Sequence, residues 1–339
     1  MSLSEHIRTT ALRRAWSPVA ALAIALLATA CGPGGATTAS GSETSRALSV
    51  VATTTILADV TGQVAGDTAQ VTTLMEAGAD PHNFEASAQA LALMQEADLI
   101  VANGAGLEEQ LQGPIAEAER TGVPVFHATD HIETLTFAGT DGHDEDEPRH
   151  DEDEPGHEHE AGAVDPHFWM DPTRMADVAR ALGTQIGSLS SDAGAISAQA
   201  DDYAAQLEQI DTEITRALAS IPDGDRTLVT NHEAFNYFAE RYDFTIVGTV
   251  IPGLSTGAEP SARDLEELVH TIERQQVSAV FTENTAPEQL TQTLAAEVGS
   301  DVEVIELYSD SIGDDGSGAT TYIEMLTANA ELISGALGG

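Results

Sequence analysis

Three histidines in this sequence sit in settings that single them out: His82 in "AGADPHNFEAS", His167 in "VDPHFWMDP" and His232 in "VTNHEAFNYF". Each falls in a turn or at an element end, just past a strand-like run or just before a helical one, and two of them follow Asp-Pro. Open α/β sheets bind ligands at the carboxyl ends of their strands. Three imidazoles at such loop mouths therefore suggest a metal cage, because neutral imidazole is a common ligand for divalent ions. The other histidines outside 141–160 read differently. His270 lies four residues after Glu266 on the polar side of a helical run and reads as a solvated ion pair, while His127 and His131 flank a strand end beside Asp130 and read as structural or surface groups.

A second concentration of chemistry is the run 141–160, "DGHDEDEPRHDEDEPGHEHE". It holds eleven carboxylates, one arginine and the imidazoles of His143, His150, His157 and His159. Its charge density forbids burial, so a disordered insert is expected, spanning 139–163. Outside it the chain is acidic too. The net charge is −43 over 339 residues, and all thirteen basic residues are arginine. Such a field excludes nucleic-acid binding, which needs a basic footprint, and concentrates cations around the molecule.

The elements that must position these groups can be read from periodicity. From Leu48, short β-rich runs ("LSVVATT", "QVTTLM", "DLIVAN", "VPVFHA") alternate with the helical runs "SAQALALMQEA" and "LEEQLQGPIAEAER". That order implies βαβ units and a parallel sheet. After the insert, Asp171 and Pro172 open one helix, and a longer one is expected from about Asp192 to Ile221, with Ile196, Tyr203, Leu207, Ile210, Ile214 and Leu218 on one stripe. A second α/β run follows, with strands in "RTLVTN", "FTIVGTVI", "VSAVFTEN" and "VEVIEL", a helix capped by Ser261 and Asp264, and another over "APEQLTQTLAAEVG" closing at Gly299. The fold class is thus α/β, with two lobes that each carry a parallel-type sheet flanked by helices. The expected boundaries are 47–170 for the first lobe, 171–221 for a helical linker and 222–339 for the second lobe.

Residues 1–30 read as a signal peptide, with Arg8, Arg13 and Arg14 ahead of a short apolar run and small residues before Cys31. Cys31 is the only cysteine, so no intrachain disulfide is available. Its position after Ala28-Thr29-Ala30 resembles a bacterial lipoprotein box, in which the cysteine is acylated and anchors the chain to the lipid bilayer. Residues 31–46 then read as a flexible tether, and the expected location is the outer face of the cytoplasmic membrane in the cell envelope.

From about Leu48 to Leu337 the chain resembles the metal-receptor solute-binding proteins of ABC importers, the zinc- and manganese-uptake family. The resemblance is carried by "GADPHNFE", "DPHFWMDP", "NHEAFNYFAERY" and "LYSDSIG", spread over both halves in the family's order. It implies that His82 and His167 are ligands from the first lobe, that His232 is the third ligand with Glu233 its rival, and that Asp310 is the fourth. Glu85 and Glu283 would support the ligands or pack beside them. It also implies a long, rigid helix between lobes, a site in the cleft between them, and a monomer that passes its ion to the importer's membrane permease and ATPase. The insert would be the family's His-rich loop, holding zinc loosely through His143, His150, His157 and His159.

Three nitrogens and one oxygen suit tetrahedral Zn2+, whereas Mn2+ prefers more oxygens. A high-affinity zinc receptor is therefore the expected function, with a manganese or ferrous iron receptor as the alternative. A zinc hydrolase would also use three histidines, but no HExxH run is present, since Ala234, Phe235 and Asn236 follow His232-Glu233, and Asp310 would fill the open position. An adhesin on the same scaffold is a further alternative.

Overall fold

The computed structural model describes residues 46–137, 162–257, 261–286, 296–298 and 302–338. The expected signal peptide, Cys31 and the expected tether up to residue 45, the four insert histidines, and most of the helix expected before Gly299 lie outside the described residues. Arg46–Gly339 forms one unit.

The first sheet consists of β1 (Leu48–Ala52), β2 (Ala69–Thr73), β3 (Leu99–Ala102) and β4 (Val125–His127), all parallel in the order β2-β1-β3-β4. Its two central strands are covered on both faces, and Val50, Val51, Ala52 and the whole of β3 are buried. That double covering explains why these strands read as continuous apolar runs instead of alternating ones. The crossovers are α1 (Thr55–Ala65), α2 (Ala88–Glu96) and α3 (Gln112–Thr121). Thr54 and Ser87 cap α1 and α2 through their hydroxyls, each accepting a backbone N–H of the first turn.

α4 (Pro172–Leu189) starts as expected, with the Asp171 carboxylate accepting the Thr173 N–H and proline in the first turn. α5 (Ala193–Leu218) has 26 residues, about 39 Å at 1.5 Å per residue. It packs along α4, α1 and the final helix α8 (Tyr322–Leu337). Five of its six stripe residues are fully buried and Ile210 partly so. Gly183 on α4 lets the two helices meet: a Cβ there would lie 2.4 Å from the Cβ of Ala200.

The second lobe contains β5 (Thr227–Thr230) paired with β6 (Thr245–Thr249), and β7 (Ala279–Glu283) paired with β8 (Glu303–Leu307), both parallel. β5 runs beside β7, but the two ladders form separate two-stranded sheets where one sheet was expected. α6 (Asn236–Tyr242) and α7 (Ala262–Gln275) also belong to this lobe, and α7 has the full Ser261–Asp264 capping box. A single apolar cluster runs from Val50 in β1 through Leu207 in α5 to Phe281 in β7 and Ile333 in α8. Among the described residues, no helix is long and apolar enough to cross a membrane.

Candidate metal centre

Loops beyond the carboxyl ends of β2, β5 and β8, with the turn ahead of α4, bring the site together. His82 follows β2 in the turn Asp80-Pro81-His82, and the Asp80 carboxylate accepts the His82 backbone N–H at 2.9 Å. The same local device recurs at Asp165-Pro166-His167, where Asp165 Oδ1 accepts the His167 N–H at 2.9 Å. Asp-Pro-His thus builds the same side-chain-closed turn twice, with Asp bonding the backbone two residues on. His232 lies two residues beyond β5, and Asp310 three beyond β8.

Four groups converge: one ligand atom each from His82, His167, His232 and Asp310, all within 4.8 Å of one another. His82 Nε2 lies 3.3 Å from His167 Nε2, which lies 3.2 Å from His232 Nε2, and Asp310 Oδ2 is 3.6 Å from His232 Nε2. All four residues are 0–2% exposed.

Carboxylates behind two rings fix which nitrogen faces inward. Asp165 Oδ1 lies 2.8 Å from His167 Nδ1, and Glu283 Oε2 lies 2.7 Å from His232 Nδ1. Each buried carboxylate commits Nδ1 to donating, so in the neutral ring Nε2 presents a lone pair to the centre. Glu283 also accepts the His232 backbone N–H at 3.0 Å and the Ser309 hydroxyl at 3.0 Å. Asp165 is held in turn by Asn236, whose Nδ2 donates to Oδ2 at 3.0 Å. Asp310 is the exception. Both of its oxygens are buried and have no hydrogen-bond partner among the described residues. Lone pairs and an unpartnered carboxylate in one dry spot repel each other unless a cation or a proton lies between them.

The protonation equilibria express that demand. Burial pushes the Asp310 carboxyl up to about 6, although the His232 and His167 charges pull it down. Burial works against a charged His232 ring, but Glu283, Asp310 and Asp80 together outweigh it and raise the ring to about 9. Glu283 is held below its ordinary value despite burial, by the His232 charge and its hydrogen bonds. In the metal-free protein at neutral pH a proton on His232 therefore takes the place of a cation.

The four expected ligands come together, and Glu233 does not join them. Its side chain instead lines a cavity with β6 and α7. Glu283 lies against His232, as expected. Glu85 does not: it is exposed, because the chain after His82 turns outward before α2. The supporting carboxylate missing from the sequence reading is Asp165, which the second Asp-Pro-His signalled. His270 is exposed within 3.9 Å of Glu266, His127 pairs with Glu119 at 3.0 Å, and His131 stacks on Phe126. None of the three approaches the centre.

The family described as zinc-uptake complex component A, periplasmic (ZnuA), matches residues 50–336. The chain is 29% identical to the manganese-binding lipoprotein MntA of Halalkalibacterium halodurans, over 93% of this chain and 96% of that one. It is also 29% identical to the zinc-binding protein TroA of Treponema pallidum, over 85% of this chain and 88% of the relative. A solved structure of the periplasmic zinc-binding protein TroA from Treponema pallidum superposes with a TM-score of 0.74 at 28% identity, covering 86% of this chain and 99% of that one.

Proposed function

The chain belongs to the zinc-uptake complex component A family, whose members are substrate-binding transport proteins, and from that premise we propose that it is a high-affinity extracytoplasmic zinc receptor. It binds Zn2+ as cargo through His82, His167, His232 and Asp310 and delivers it to the membrane permease and ATPase of an ABC importer. It works as a monomer in the cell envelope, held to the outer face of the cytoplasmic membrane by acylated Cys31. Its lobes are 47–170 and 222–339, with 171–221 as the helical linker.

The observation that carries this reading is the buried carboxylate of Asp310, which has no hydrogen bond among the described residues and faces three imidazole nitrogens. The spacing is compatible with zinc. A tetrahedron with bonds of 2.0–2.1 Å has edges of about 3.3–3.4 Å, and the nitrogen–nitrogen separations are 3.3 and 3.2 Å. Three nitrogens and one oxygen also bind zinc more tightly than manganese under the Irving–Williams order. Manganese is the second reading, favoured by the manganese-binding name of one relative.

Competition on the purified, metal-stripped protein tests the choice. Zinc should displace manganese when the two are mixed at equal concentration, read by elemental analysis after desalting. Retention of manganese against a tenfold excess of zinc would reverse the assignment. The same assay with His82→Ala and His232→Ala tests the ligand set, and either substitution should cut zinc affinity by several orders of magnitude.

A further inference from the structure

His82 forms one wall of a cavity of about 430 Å³, whose lining includes none of the other three converging residues. Gly106, Glu109, Gln112, Val164 and Leu254 form much of the remaining wall. The cage therefore has a front, occupied by one imidazole, and a back formed by His167, His232 and Asp310.

The carboxylates around the cage differ in the same direction. Those behind His167 and His232 are 1% exposed and sit at 2.8 and 2.7 Å from the ring nitrogen. Glu109 Oε1 lies 3.9 Å from His82 Nδ1, beyond hydrogen-bonding distance, and its side chain is 26% exposed. An acid that solvent also reaches thus stands beside the ring that faces the cavity. A hydrated ion approaching the cage must exchange water for protein ligands in steps, and an accessible carboxylate beside the first imidazole supplies an oxygen at that stage. Its fixed charge also raises the local cation concentration in a cleft of low dielectric.

We propose that this cavity is the route by which the ion reaches and leaves the cage, and that Glu109 is the carboxylate that meets it there. The proposal rests on the metal-receptor reading, and its test separates the two. Zinc uptake by the full chain is followed by stopped-flow competition with a fluorescent chelator at low ionic strength. The variants are Glu109→Gln, Glu109→Asp, Val164→Trp and, as a charge control, Glu117→Gln. Glu117 is an exposed acid of α3 paired with Arg120 and is not part of the cavity wall.

Glu109→Gln should slow association about three- to tenfold while leaving metal-free unfolding temperature unchanged. Glu109→Asp should recover most of the rate, and Glu117→Gln should remain near wild type. Val164→Trp narrows the mouth at a 39% exposed position. Because an obstructed path delays passage both ways, it should slow association and dissociation by the same factor and leave Kd unchanged. Equal association rates for Glu109→Gln and Glu117→Gln would remove Glu109 from the path, and unaltered rates in Val164→Trp would move the path elsewhere. Either result overturns the proposal. Failure of the wild-type chain to take up zinc at all would instead count against the receptor reading.

Discussion

At the scale of single residues, the site is a set of imidazoles whose protons are already assigned. Asp165 and Glu283 hold the Nδ1 sides of His167 and His232, so each Nε2 can bind metal without a change of tautomer. Replacing Asp165 by Asn should therefore weaken zinc binding about 10- to 100-fold, measured by chelator competition, and less than replacing His167 itself. An Asp165→Asn protein that binds like wild type would show that ring orientation is set elsewhere. Binding must also displace the His232 proton. With that ring raised to about 9, zinc uptake at pH 7 should release about one proton from it. Calorimetry in buffers of different ionisation enthalpy reads that number, and His232→Ala should lower it by about one. No difference between the two proteins would contradict the assignment. The converging histidines could be picked out because Asp-Pro-His and Asn-His-Glu fall in turns, just past a strand-like run or just before a helix. Glu109 could not, because its approach to His82 depends on how the segment between β3 and α3 lies against the turn after β2.

At the scale of elements, the long helices were readable from apolar spacing, and two others were not separated from their surroundings. α1 begins three residues after the end of β1 within Thr53-Thr54-Thr55-Ile56, so four β-branched residues bridge strand and helix. α8 carries the capping box Thr321–Glu324, but Asn329 interrupts its apolar face. That asparagine is buried because it grips the chain near the cage. Its Oδ1 accepts the Tyr308 N–H at 2.9 Å and its Nδ2 donates to the Tyr308 carbonyl at 2.7 Å, two residues before Asp310. Helix packing yields a paired prediction from two glycines. Gly62 lies inside α1 with nothing within 4 Å of an added Cβ, so Gly62→Ala should stabilise by about 0.5–1 kcal/mol through helix propensity alone. Gly183→Ala gains the same propensity but drives its methyl to 2.4 Å from Ala200 Cβ. Overpacking of about 1–3 kcal/mol should exceed that gain and leave a net loss. Denaturant midpoints of the two variants should move in opposite directions, and a shared direction would mean that the α4–α5 contact yields freely.

At the scale of the whole molecule, the two lobes share one apolar core and are stitched together next to the cage. The Trp169 indole donates to the Ser309 carbonyl at 2.7 Å, the Gly78 N–H to Ser311 Oγ at 2.8 Å, and the Ile312 N–H to Thr55 Oγ1 at 3.2 Å. Each bond ties the segment carrying Asp310 to the first lobe, so a cation bound there would add to a joint that hydrogen bonds already hold. The state of that joint should govern stability as a function of pH. His232 has a folded value of about 9 against an ordinary 6.5. Its contribution is therefore fully present below pH 6.5 and is lost as pH rises through 9, a difference of about 3 kcal/mol across that window. Asp310, raised from 3.8 to about 6, acts with the same sign at lower pH, and its contribution has already gone once pH passes 6. The metal-free protein should thus unfold at a lower temperature at pH 8.5 than at pH 6.5. Bound zinc replaces the proton on His232 and binds more tightly as competition from protons falls, so the holo protein should not share that decline. The temperature gap between zinc-loaded and chelator-treated protein, read by circular dichroism, should widen by several degrees between pH 6.5 and 8.5. A constant gap would mean that no proton at the joint is exchanged for the ion, and a gap that narrows would reverse the sign of the coupling between His232 and the ion.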